Sequence, residues 1–396
     1  MNMAVTDISE LRRERERKRM NALILRTVLI VLLVAAAVAA VFTRSKWLPA
    51  FEALFEKPAD TSDAADSTTG QTFKGSFPIA LDSSGEFQLL PMDGAIAVLD
   101  DSRLRIYNLD GKETNTSQHA LANPILVTSK TKALIYDVGG TEFRLESRYK
   151  NIYDLFADDV IYLARLSSKD QAAVVTRSDR YLSQLIVYDD TGDEQFKYSS
   201  YDSRIIDVTF TNDCTGCLIT VITAEQGTLR SGLIRYDFSS NDPVWESSSV
   251  PTLSMNVSIR SNGTIAMTGD TGFYEFDSNG VLISSYEYPD PIAAYSTGDD
   301  VSAVLMENSE LRRTQLVMLA MGKEVHIEPL DKAVLDIYSY GGEVYVLYEN
   351  EVVVYSPDGQ ITGRVVLEDR YESLCRNGKY IFLAGYESIN RVPYAR

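Results

Sequence analysis

From Thr72 to the C-terminus the chain repeats one pattern. An apolar run meets a turn, a second run meets an acidic turn, and a third run ends in an aromatic residue followed by Asp or Gly. The third runs are the clearest: LRIYNLDG (104–111), LIVYDDTG (185–192), LIRYDFSS (233–240), FYEFDSNG (273–280) and VVVYSPDG (352–359). Each is continuous or alternating apolar sequence closed by turn residues, which predicts strands. The turns between first and second runs recur too. They are PMDG (91–94), SKTK (129–132), SSKD (167–170), NDCTG (212–216), SNG (261–263), TGDD (297–300), GGE (341–343) and RNGK (376–379). Eight such turns over residues 72–396 give roughly 41 residues per unit, the size of a four-stranded propeller blade.

The pattern predicts an all-β fold, a β-propeller of four-stranded blades. Eight blades fit best; seven is the alternative, because the second unit (120–154) is the least regular. The last unit runs through YIFLAGYESINRV to the chain end and leaves no fourth strand, whereas FKGSFPIAL (73–81) is spare. Pairing the two closes the ring and removes open edges. A sandwich is the rival, but sandwiches rarely show so many evenly spaced four-strand units.

The segment before the repeats has another character. Residues 22–43, ALILRTVLIVLLVAAAVAAVFT, are apolar enough and long enough to span a bilayer as a helix, with Arg26 near one end. Arg12, Arg13, Arg15, Arg17, Lys18 and Arg19 precede it, which places that end in the cytoplasm and the repeats outside. Ala37 and Ala39 also allow a cleaved signal peptide, but the charged region is long and the apolar stretch runs past the cleavage site. Trp47, Leu48, Phe51, Leu54 and Phe55 suggest a short amphipathic segment at the outer interface, and DTSDAADSTTG (60–70) is linker composition. The expected organisation is a cytoplasmic tail (1–21), a membrane helix (22–43), a juxtamembrane segment and linker (44–71) and an extracytoplasmic propeller (72–396) in a cell membrane.

Charge follows the same division. Residues 1–59 hold 10 Lys+Arg against 6 Asp+Glu, and the rest holds 28 against 50. A domain this acidic is repelled by nucleic acid and anionic headgroups, so nucleic acid is not an expected partner. With 2 His and 3 Cys, the chain has little material for zinc, haem or iron–sulfur sites, and no cofactor is expected.

The candidate chemistry is sparse. Cys214 and Cys217 form C-T-G-C at a hairpin turn followed by a strand, and read as a local disulfide or as two thiols; Cys375 reads as a small core residue. His119 and His326 fall in outer strands without partners at a catalytic spacing. The turns between second and third strands carry acids in most units: Asp100 and Asp101, Asp137, Asp179, Glu225, Asp270, Glu307, and Glu349 with Glu351. In a propeller these turns share one face with the connections between blades, giving an acidic, partly Tyr-lined surface. It reads as a docking face for a cationic partner or Ca²⁺, or as turn chemistry that any Asp suits. The segment DDTGDE (189–194) lacks the spacing of a calcium hand, and no nucleotide-binding or common hydrolase motif occurs.

The basic tail, single span and VYD…G-rich repeats resemble an uncharacterised family of bacterial membrane-anchored propellers and, more distantly, WD40 and quinoprotein-type repeats. The likeness covers nearly the whole chain. The WD dipeptide, the GH signature and the quinoprotein Trp docking motifs are missing, and the only Trp residues are Trp47 and Trp245. The resemblance implies fold and topology and no catalytic residue.

The function these features favour is a non-catalytic, membrane-tethered interaction module that binds an envelope protein or wall polymer. The alternative is a propeller enzyme acting on glycans or other envelope substrates through dispersed Asp, Glu and Tyr. An enzyme predicts carboxylates converging on a pocket in the central funnel, and a scaffold predicts a plugged channel with a broad outer patch.

Overall fold

The computed structural model describes residues 77–81 and 87–394. The tail, the 22–43 span and the 44–71 segment lie outside the described residues. Among the described residues, no helix is long and apolar enough to cross a membrane.

The described residues form eight four-stranded antiparallel sheets, arranged as the blades of a propeller. Blade 1 spans Gln88–Gln118, blade 2 Pro124–Phe156, blade 3 Ile161–Ser200 and blade 4 Arg204–Glu246. Blade 5 spans Ser254–Glu287, blade 6 Ile292–Leu330, blade 7 Asp336–Val366, and blade 8 Ser373–Pro393 together with Ile79–Ala80. The count is eight, so the seven-blade alternative fails. The irregular unit around 120–154 is a complete blade of four strands. All eight first-to-second turns fall where the repeats put them.

The second strands explain why the chain reads as continuous apolar runs. Each is sandwiched between two neighbouring blades, so both faces of its pleat are buried. In Ala172–Thr176, Ala172 and Val174 face blade 2, while Ala173 and Val175 face blade 4. In Ala95–Leu99, Ala95, Ala97 and Leu99 face blade 2, and Ile96 and Val98 face blade 8. Eight hydrophobic clusters result, one for each blade-to-blade interface. Burial of one such Val or Leu side chain contributes about 1.5–3 kcal/mol.

The recurrent ending, an aromatic, then Asx or Ser, two further residues and Gly, is turn chemistry. Tyr107, Tyr188, Phe276 and Tyr355 each sit at a register shift opposite the outer strand. Four residues on, Gly111, Gly192, Gly280 and Gly359 adopt φ of 79°, 96°, 77° and 80°, a region open to glycine at little cost. The residue after the aromatic caps the turn: Asn108 Oδ1 accepts from the Asp110 and Lys112 amides, Asp189 Oδ1 from Thr191 and Asp193, and Asp277 Oδ1 from Asn279 and Val281. Blade 4 has Ser240 in place of the glycine, and its outer strand shrinks to Trp245–Glu246.

The ring closes through the spare N-terminal strand. Ile79 pairs with Ile389 and Ala80 with Ser388, and the Leu81 amide reaches the Glu387 carbonyl at 2.9 Å. Phe77 stacks on Phe382 at 5.8 Å, and the Arg391 guanidinium lies 4.8 Å from the Phe77 ring centroid. At the axis, neighbouring first strands belong to separate sheets and are joined by side chains instead. Gln88 of blade 1 donates to the Pro124 carbonyl and accepts from the Leu126 amide of blade 2, while Asp336 of blade 7 accepts from the Leu374 amide of blade 8 at 2.9 Å.

Candidate functional site

Strand direction alternates across each blade. The second-to-third turns therefore share one face with the connections between blades, and the first-to-second turns share the other with the third-to-outer turns. All the sequence-predicted acids fall on the first of these faces, at or beside their turns, but they do not do the same work.

Asp100 is a fold residue, 4% exposed. Its Oδ1 accepts from the Ser102 amide, the Ser102 hydroxyl and the Arg103 amide at 2.7–2.9 Å, and its Oδ2 pairs with Arg105 at 3.0 Å. Burial pushes its pKa up, but these hydrogen bonds and the Arg105 charge outweigh burial and hold it below the usual carboxylate value. Asp137 and Asp270 tie their turns to the connection entering the same blade. Asp137 accepts from the Asn123 amide at 2.7 Å, and Asp270 accepts from the Leu253 amide at 2.8 Å and the Thr252 hydroxyl at 2.9 Å. Glu225 pairs with Arg230 at 3.3 Å, and Glu351 with Lys332 at 2.6 Å and Arg364 at 2.9 Å. Asp101, Asp179, Glu307 and Glu349 are exposed and have no side-chain hydrogen bond or ion pair among the described residues.

Exposed Glu387 fills the eighth turn, which the sequence reading missed because the last unit looked incomplete. Tyr201 (73% exposed) stacks edge-on against Tyr181 at 4.7 Å on this face, and Tyr386 (60% exposed) lies beside Glu387. The acids are interleaved with Arg177, Arg180 and Arg312. The opposite face exposes Asp110, Asp190, Asp213, Asp242 and Asp358, so acidity alone does not distinguish the two faces.

That opposite face holds a pocket of about 600 Å³ at the mouth of the central channel. Blades 2 to 6 contribute to it. Lys130 comes from blade 2, Arg165 from blade 3, Asp207 from blade 4, Asn256 from blade 5, and Asp299 with Asp300 from blade 6. Asp207 is 3% exposed, and its Oδ1 takes the Arg165 Nε at 2.8 Å and its neighbour's amide, Val208, at 2.8 Å. Burial nonetheless raises its pKa, against the lowering pull of Arg165 and of the Val208 and Val257 amides. Arg165 and Asp207 were missed as a pair because they lie in first strands of different blades. The available signal was a charge inside an otherwise apolar first run, in IYLARL (161–166) and RIIDVTF (204–210).

Of the two readings of Cys214 and Cys217, a local disulfide or two thiols, the structure has the thiols. Cys214 sits in the turn at φ 57°, with Sγ 3.2 Å from the Ser168 hydroxyl. Cys217 points from its strand into the core between blades 3 and 4, where burial raises its pKa to about 12. Cys375 is buried at the closing interface. His119 follows the outer strand of blade 1, its Nε2 donating to the Asp100 carbonyl at 3.0 Å. His326 opens the outer strand of blade 6, with Nε2 3.2 Å from Glu328 Oε2. Neither imidazole is hydrogen-bonded to a Ser or Cys side chain among the described residues.

These features define an eight-bladed β-propeller of four-stranded blades. Residues 69–390 match the family of unknown function DUF5711, and the chain belongs to that family. No curated protein matches the sequence. Among solved structures, the chain is similar to BamB from Moraxella catarrhalis at 14% identity and a TM-score of 0.55, covering 80% of this chain and 96% of that one. It is similar to Saccharomyces cerevisiae Sqt1 at 10% identity and a TM-score of 0.59, covering 81% and 98%. It is also similar to the C-terminal WD40 domain of Sif2 at 13% identity and a TM-score of 0.57, covering 80% and 97%. At these identities the likeness is one of fold.

Proposed function

We propose that the protein is a non-catalytic interaction module, held at a membrane by the 22–43 span with the propeller outside, that docks an envelope protein or wall polymer bearing basic groups. The observation that carries the docking reading is that Asp101, Asp179, Glu307 and Glu349 recur at or beside equivalent turns, exposed and without a side-chain hydrogen bond or ion pair among the described residues. Exposed Tyr201 and Tyr386 share their face, with half-buried Tyr181 packed against Tyr201, and tyrosine is enriched at interfaces. The tether rests on the Arg-rich tail before the apolar span. A reporter fused after Arg396 tests it: activity outside the cytoplasm is expected, and activity only inside contradicts it. Crosslinking in intact cells tests docking. A discrete envelope partner is expected with the full chain and is lost when 22–43 is deleted.

The enzyme reading is favoured only by the channel pocket. Its one buried carboxylate, Asp207, is already engaged by Arg165, Val208 and Val257, which leaves no buried acid free to move a proton.

A further inference from the structure

The channel mouth is polar, and its charges are divided. Its volume of about 600 Å³ lies within the range of small-molecule sites, roughly 300–1,000 Å³. Lys130 stands at the rim on blade 2, and Arg165 lies beside it on blade 3. The Arg165 Nε is held by Asp207 at 2.8 Å, so its fork is fixed in place while about a third of the side chain (35%) remains accessible. On blade 6, Asp299 and Asp300 are exposed at the rim, and Asp300 Oδ1 is oriented by the Ser261 hydroxyl at 3.0 Å. In a ring of eight blades, blade 2 and blade 6 stand opposite each other. The pocket therefore has a cationic wall facing an anionic wall. Between them, Asn256 brings an amide whose oxygen is buried without a hydrogen-bond partner among the described residues.

We infer that the channel mouth binds a small dipolar ligand, peptide-like in chemistry, whose carboxylate meets Lys130 and Arg165 while its ammonium meets Asp299 and Asp300. A simple anion would satisfy one wall and be repelled by the other, and a simple cation the reverse. Only a molecule with both charges, set apart by the width of the mouth, gains from both. The polar body of such a ligand would meet the Asn256 amide. This site lies on the face opposite the exposed acids of the docking reading and does not depend on it.

Calorimetry on the full-length chain with three probes tests the inference. Tetraglycine carries both charges about 13 Å apart at full extension. N-acetyl-tetraglycine lacks the ammonium, and tetraglycine amide lacks the carboxylate. Tetraglycine is expected to bind at least tenfold more tightly than either blocked form. Lys130→Gln should reduce tetraglycine to the level of the amide, and Asp299→Asn with Asp300→Asn should reduce it to the level of the acetylated form. These rim side chains are exposed, so the variants should melt with the parent. Equal binding of all three probes to the parent, or no binding of tetraglycine at millimolar concentration, overturns the proposal whatever the variants do.

Discussion

Asn377 in the last blade donates its side-chain amide to the carbonyl of Met92 in the first, at 2.5 Å, across 285 positions of sequence. The same amide reaches the Ala95 carbonyl at 2.7 Å. The ring is thus locked twice at its seam, by Asn377 near the axis and by the Ile79–Ala80 strand at the rim.

Asn377→Ala should remove two hydrogen bonds to buried carbonyls and cost about 1–3 kcal/mol. Exposed Asn350, which makes no side-chain hydrogen bond among the described residues, serves as the control; Asn350→Ala should stay within about ±0.5 kcal/mol. Deleting 73–81 should lower the melting temperature far more than deleting 60–70. Denaturant midpoints check the first comparison and thermal melts the second; equal effects within either pair contradict the double lock.

Neighbouring acids should behave differently. Asp100 is buried and organises its turn, whereas Asp101 faces solvent. Asp100→Ala should cost about 1–3 kcal/mol through the lost acceptor. Asp101→Ala should stay within about ±0.5 kcal/mol. Urea titration of the pair decides this, and equal costs would contradict the assignment.

Much of the architecture was legible because propeller chemistry is local. The second strands read as apolar runs since both faces are buried, and the endings from aromatic to Gly read as turns since Gly111, Gly192, Gly280 and Gly359 need positive φ. The closing strand was visible as surplus sequence at one end and a deficit at the other. The site was much less legible. Residue type does not separate Asp100, Asp137 and Asp270, which hold the fold, from Asp101, Asp179, Glu307 and Glu349, which do not. That difference depends on whether Arg105, Asn123 or Thr252 comes within reach. The Arg165–Asp207 pair joins two blades and has no sequence spacing to betray it.

Stability should depend on pH through Asp336. Burial raises its pKa above the ordinary 3.8, against the lowering effect of the Leu374 and Ile337 amides. The folded state therefore favours the protonated acid. Its contribution is fully present below the unfolded value and is lost as pH rises through the raised folded value. Asp336→Asn removes this titration. The variant should gain stability relative to the parent as pH climbs from below 3.8 toward neutrality. A parent–variant difference that stays flat with pH contradicts the assignment.

The thiols should be inert. Burial pushes Cys217 up to about 12, and Cys375 is held up by burial as well. Ellman titration at pH 8 should find no fast-reacting Cys217 or Cys375 in the native protein and 3 thiols after denaturation. Reductant should leave the melting temperature unchanged; a reductant-sensitive melt would restore the disulfide.

The docking claim is tested most directly by neutralising only the acids the fold does not use. In the variant Asp101→Asn, Asp179→Asn, Glu307→Gln and Glu349→Gln, the melting temperature should stay level or rise slightly as like charges are removed. Crosslinked pull-down from intact cells should then lose the partner that the parent captures, and capture by the parent should weaken as salt rises. Undiminished, salt-insensitive capture by the variant would return these four residues to turn chemistry and contradict docking through this face.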